Sequence, residues 1–249
     1  MRTKKRQALK KGSKGSMDKP KSLIAFFRYN VFTSFSGKFI YVFLLAIVLF
    51  LVIIILYVLN NDASPRAENI YNFLLIPGVL LIFYPSAFSI QNDVDSRMIE
   101  TLFGIPDYRY KIWLVRSLTQ YIVIGALLFI LTVLCRLGLA EFSVGSMLFH
   151  LMFPVIFIGS LGFMIAALTR SGSGTAVILV IVILFFWIAL ESVEGSSLYI
   201  FHNPFQMVDQ METIILAETT LLNRVYLLVG SIITMLFGLL RLQHREKFI

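Results

Sequence analysis

One cysteine, Cys135, stands in the whole chain, so no disulfide can form within it and no cysteine cluster can hold a metal. Charge is scarce too: 14% of residues are Asp, Glu, Lys or Arg, against about one quarter in an ordinary soluble domain. Several runs of about 20 residues, the length a helix needs to cross a bilayer, carry no charge at all. With Arg116 set at the membrane edge, the apolar cores hold no carboxylate or arginine, and His150 lies near the end of one of them. Carriers coupled to proton or sodium gradients bury such groups on the ion path, so that mechanism is disfavoured. No G-x-x-x-x-G-K-[ST] phosphate loop occurs, and if ATP drives this protein another subunit binds it. A membrane hydrolase is also disfavoured. Ser171-Gly172-Ser173-Gly174 follows Arg170 and reads as a tight turn whose hydroxyls cap the next helix, while His150 and His202 fall at the opposite membrane face. Asp93 and Asp95 lack the repeated acidic motif of a divalent-metal site.

What is present is apolar residue, 58% of the chain. Six segments have the length and character of spanning helices: about 39–59, 70–90, 113–135, 147–168, 174–190 and 225–240. The expected fold is therefore an all-α membrane protein with six transmembrane helices, a single domain over 22–249 behind a basic tail at 1–21. The last two segments are short and are helped by Trp187, Tyr199 and Tyr226 at interface depth. The first apolar run lacks a small-residue cleavage pattern and reads as an anchor rather than a signal peptide.

The net charge of +8 invites a nucleic-acid reading, but residues 1–21 carry nine Lys/Arg and one Asp, leaving thirteen charges of each sign elsewhere. The body is neutral, no nucleic-acid partner is expected, and the Gly/Ser/Lys-rich tail reads as disordered and cytoplasmic, in contact with anionic lipid. With the N-terminus cytoplasmic, nineteen Lys/Arg fall on that side and three, Arg66, Arg136 and Arg224, on the other. This places both termini in the cytoplasm of a multi-pass protein of the cell inner or plasma membrane.

Between the tail and the first span, "KSLIAFFRYNVFTSFSGKF" (21–39) repeats apolar residues at helical spacing with sparse charge, as an amphipathic helix at the membrane interface would. On the other side, 191–224 is acidic up to Arg224, suiting an extracytoplasmic accessory protein or a cation. Asn203 and Pro204 there form a helix cap and first-turn proline, which predicts a short amphipathic or re-entrant helix near 204–217. On span 6, Gly230, Thr234 and Gly238 make a four-residue repeat that permits close helix approach, within one protomer rather than across a dimer. Pro77 and Pro85 interrupt span 2.

The cytoplasmic stretch "DVDSRMIETLFGIPDYRYKIWLVR" (93–116) has a helix-forming half, a Gly104/Pro106 stop and a basic return. It resembles the segment between spans 2 and 3 of ABC-2 type transporter permeases, with Asp93, Glu100, Leu102, Pro106, Arg109 and Arg116 at matching places. Ser96 and Arg97 depart from the family's small Gly-Thr element. An interfacial entry helix, six spans, a long outer segment after span 5 and "NPFQMVDQM" (203–211), similar to an Asn-Pro motif of the family, follow the same order over roughly 22–245.

The resemblance implies an exporter-type permease that is not itself an enzyme. It would pair with a second copy or related permease and with two cytoplasmic ABC ATPase subunits, which hold ATP and Mg; this chain itself binds no cofactor or metal. The segment after span 2 would be the coupling helix. Asp93 and Asp95 suit the N-terminus of a helix running to about Phe103, Met98, Leu102 and Phe103 give it a docking face, and Arg97 and Glu100 flank that face. Apolar spans with scattered Tyr, Ser and Thr suit lipids, lipid-linked glycans, drugs or peptides alike, so the substrate and its site stay open. A membrane-embedded assembly or scaffold protein, and less readily a lipid-modifying enzyme, are the alternatives.

Overall fold

Phe39–Asn60 is apolar throughout up to its last residue and has no proline or glycine to break it, so it forms one helix, α1. The computed structural model describes residue 35 and residues 38–60, 65–95, 108–188, 196–207 and 212–242, with the backbone alone at 93–95 and 108–112. Five more helices follow among the described residues: α2 (Ala67–Asp95), α3 (Tyr108–Gly138), α4 (Val144–Thr169), α5 (Gly172–Ile188) and α6 (Glu212–Arg241). No strand occurs among the described residues, so the fold is all-α. Five of the helices are long and apolar enough to cross a membrane, as expected of a multi-pass membrane protein. The exception is α5, whose 17 residues span about 25 Å at the usual helical rise. The basic tail and most of the entry helix expected over 21–39 lie outside the described residues.

Two helices make the centre. α2 packs on α1, α3, α4 and α5, and α4 on α2, α3, α5 and α6. Small residues set how closely they approach. A methyl group on Gly159 of α4 would stand 2.7 Å from the side chains of Ile82 and Tyr121, and one on Gly162 would overlap Ser86 of α2. Gly78 of α2 in turn faces Val155. The pairs 78/155, 82/159 and 86/162 advance together, so α2 and α4 run parallel. Glutamine 120 of α3 reaches the backbone of α2 where Pro85 interrupts the ladder, Nε2 donating to the Pro85 carbonyl at 3.4 Å.

The turn between α4 and α5 is built from hydroxyls. Arg170 closes α4 in the left-handed conformation (φ 57°), its N–H on the Ala166 carbonyl. Ser171 Oγ accepts from the Gly174 N–H at 3.3 Å, capping α5, and Thr175 Oγ1 donates to the Ser171 carbonyl at 2.8 Å. Gly172 donates its N–H to Gln91 Oε1, which ties this turn to the last part of α2.

α6 lies along α4 on the expected small residues. Gly230 sits under the ring of Phe157, Thr234 Oγ1 donates to Ser160 Oγ at 2.9 Å, and Gly238 sits against Phe163 and the backbone of Met164. The four-residue repeat thus serves packing within the chain, as expected.

Two expectations are corrected. Among the described residues no separate helix stands within 204–217: residues 196–207 form turns, and from Glu212 a single helix runs to Arg241, because no glycine or proline interrupts 212–229. Asp93 and Asp95 stand in the closing turn of α2 rather than the first turn of a new helix, since nothing in Gln91–Asp95 stops helical growth.

Candidate functional site

The segment 196–207 is irregular, yet Ile200, Phe201, His202 and Asn203 are buried. Buried irregular backbone needs partners for its carbonyls, most of all at membrane depth. Two backbone–backbone hydrogen bonds are internal: the Tyr199 N–H reaches the Ser196 carbonyl and the His202 N–H the Tyr199 carbonyl, each at 3.2 Å. Further carbonyls are met by an Asn-Arg pair on α6. Asn223 Nδ2 donates to the carbonyls of Ser197 (2.9 Å) and Tyr199 (2.7 Å), and Arg224 Nη2 to that of His202 (3.1 Å).

Arg224 is 5% exposed and is the hub. Its Nε donates to His150 Nδ1 on α4 at 3.3 Å, Nη1 to Asn223 Oδ1 at 3.0 Å, and Nη2 also to the Tyr71 hydroxyl on α2 at 3.4 Å. The guanidinium carbon lies 5.6 Å from the centre of the Phe153 ring, in cation–π range. His202 Nε2 meets Thr220 Oγ1 of α6 at 2.9 Å. One buried cation thereby joins α2, α4, α6 and the 196–207 segment, and its partners among the described residues are all neutral.

Asn203 is in the network in a different role from the expected cap. Its Oδ1 accepts from the Phe205 N–H at 3.0 Å, an Asx turn, while Nδ2 donates to the Glu68 carbonyl (2.9 Å) and Asn72 Oδ1 (3.3 Å) at the start of α2. Pro204 follows in that turn and lines a cleft beside Arg224. The expected coupling residues Arg97, Met98, Glu100, Leu102, Phe103 and Pro106 lie outside the described residues, as does the side chain of Asp93.

No family model, curated protein or solved structure matches this chain. Its functional reading therefore rests on its own residues. From the sequence Arg224 counted only among the charges on the side opposite the cytoplasm, and His150 read as an interfacial residue without a partner role. The missed signal was "NR" at 223–224: starting the last span at 225 set aside a polar pair that is integral to the helix. Among the described residues no group of His, Cys, Asp and Glu is placed to hold a metal ion.

Two clefts open beside the network. One, of about 650 Å³, lies between α4 and α6 with His150, Pro204, Thr220 and Arg224 on its wall. A second, of about 700 Å³, lies between α3, α4 and α6 and is walled by apolar side chains apart from Ser117, Tyr121, Ser160 and Ser231. Phe149, Phe153 and Leu228 line both.

Proposed function

We propose that this chain is the transmembrane permease subunit of an ABC-2 type exporter, crossing the cell membrane six times with both termini cytoplasmic. ATP and Mg bind in two partner ATPase subunits, and a second permease completes the transport path. The observation that carries this reading is the placing of the 93–116 pattern. Its first residues end α2 and its last ones begin α3, at the end of the bundle where Arg116, Arg170 and Arg241 also lie. That end is the cytoplasmic one by the positive-inside distribution.

Support comes also from the way α2 is held. Its closing part is tied to the α4–α5 turn by Gln91, and four helices pack along its length. A push on 96–107 would be shared by α2, α5 and the helices around them, as a rigid-body or shear transition requires. In this mechanism, closure of the ATPase dimer on ATP moves the coupling segment and changes the opening between paired permeases, driven by the different affinity of the two states for nucleotide.

Purification in mild detergent should recover an ATPase that carries a phosphate loop. A homogeneous complex without any nucleotide-binding partner would overturn the proposal. With the partner in hand, Glu100→Lys should abolish ATP-driven transport in vesicles while leaving ATPase activity and folding intact. Undiminished transport in that variant would remove Glu100 from the coupling contact.

A further inference from the structure

We propose that the paired clefts along α6 hold one anionic phospholipid, its phosphate on Arg224 and an acyl chain between α3, α4 and α6. The proposal does not depend on the transporter reading. Charge argues for it first. Arg224 is 95% removed from solvent, and its recorded partners are Asn223, the Tyr71 hydroxyl, the His202 carbonyl and His150, none of them a carboxylate. A guanidinium has five N–H groups and four are engaged here, two at 3.3 Å or more, so among the described residues its charge is solvated without being neutralised. An anion that enters the cleft from the lipid side supplies what the protein withholds.

Depth argues for it next. Arg224 and Arg241 are about 25 Å apart along α6, close to the thickness of a hydrocarbon core, so Arg224 stands near the edge of that core, within reach of a headgroup phosphate. From Arg224 to Leu236, at the far end of the apolar cleft, is about 18 Å by helical rise. One leaflet contributes about half of a roughly 30 Å core. The outer walls at Phe149, Leu228, Ile232 and Leu236 are all about half exposed or more, so the cleft opens sideways to the membrane.

The test uses the full chain in nanodiscs of phosphatidylcholine with a minor share of phosphatidylglycerol. After release into mild detergent, native mass spectrometry counts the lipids retained. The wild type should keep one phosphatidylglycerol per chain in preference to phosphatidylcholine, and Arg224→Gln should lose it. Leu228→Trp narrows the passage shared by both clefts at a lipid-exposed position, leaves the arginine network in place, and should lose it as well; it decides the matter if the arginine variant does not fold. Equal retention of the two lipids by the wild type overturns the proposal, as does undiminished phosphatidylglycerol in Leu228→Trp. A dimer mass carrying no lipid assigns the cleft to a second copy and overturns it equally.

Discussion

α6 rests on α4 through glycines, hydroxyls and one arginine, whereas α1 rests on α2 through large apolar side chains. On α6 the contacts recur almost every turn: Arg224 on His150, Gly230 on Phe157, Thr234 on Ser160 and Gly238 on Phe163. On α1 the buried stripe is Phe39, Ala46 and Phe50, held by the Phe39–Tyr84 and Tyr57–Phe73 ring pairs and by Asn69 donating to the Tyr57 hydroxyl. Lipid tails are as apolar as leucine, so burying apolar area drives no helix association in a membrane. The α4–α6 seam therefore holds by features that lipid cannot copy, and α1 largely by features that it can.

The largest effect is expected at the polar end of the seam. Arg224→Ala removes the guanidinium's hydrogen bonds to the His202 carbonyl and Asn223 Oδ1 and loosens the hold on the 196–207 segment, a loss of about 3 kcal/mol. Thermal denaturation in detergent would show it as a lower midpoint, and proteolysis should cut first within 196–207. An unchanged midpoint would mean that the network is incidental to the seam. Next in size is Gly238→Leu. Its Cβ would meet the Phe163 ring at 2.8 Å and the Met164 Cα at 3.3 Å, and the backbone atom cannot give way, so about 2 kcal/mol is expected. A neutral result would show that α6 can ride higher on α4. Smaller still, Thr234→Val deletes the hydrogen bond to Ser160 without changing shape, and interhelical bonds of this kind are worth about 0.6 kcal/mol.

The same contrast explains what was legible in the sequence. α1 was read almost to the residue, because an unbroken apolar run states its own length. Helices α2 and α3 extend beyond their apolar runs: Gln91 and Asn92 at one boundary, and Arg109 and Lys111 at the other, end a hydrophobic count but not a helix. The Gly230, Thr234 and Gly238 repeat could be read as a packing surface because its logic is local, one residue per turn on one face. The Arg224 site could not. Its partners stand at 71, 150, 202 and 223, and only the fold brings them together. Asn203 shows a milder form of the problem, since the same Asn-Pro pair opens either a helix or an Asx turn. Its two contacts to α2 accompany the turn.

The smallest expected effect tests the other side of the comparison. Val48 on α1 is 53% exposed, on the face turned away from α2, and Val48→Ala removes methyl groups that touch lipid in the folded bundle. Those groups would also touch lipid if α1 separated from α2, so the lost contacts nearly cancel between the two states, leaving a change within about 0.5 kcal/mol. Were the same truncation to lower the midpoint in detergent as much as Thr234→Val does, the outer face of α1 would have to contact something other than lipid in the folded state. Crosslinking through a cysteine at Val48, with the buried Cys135 replaced by serine or alanine, would then tell a second copy of this chain from a different protein.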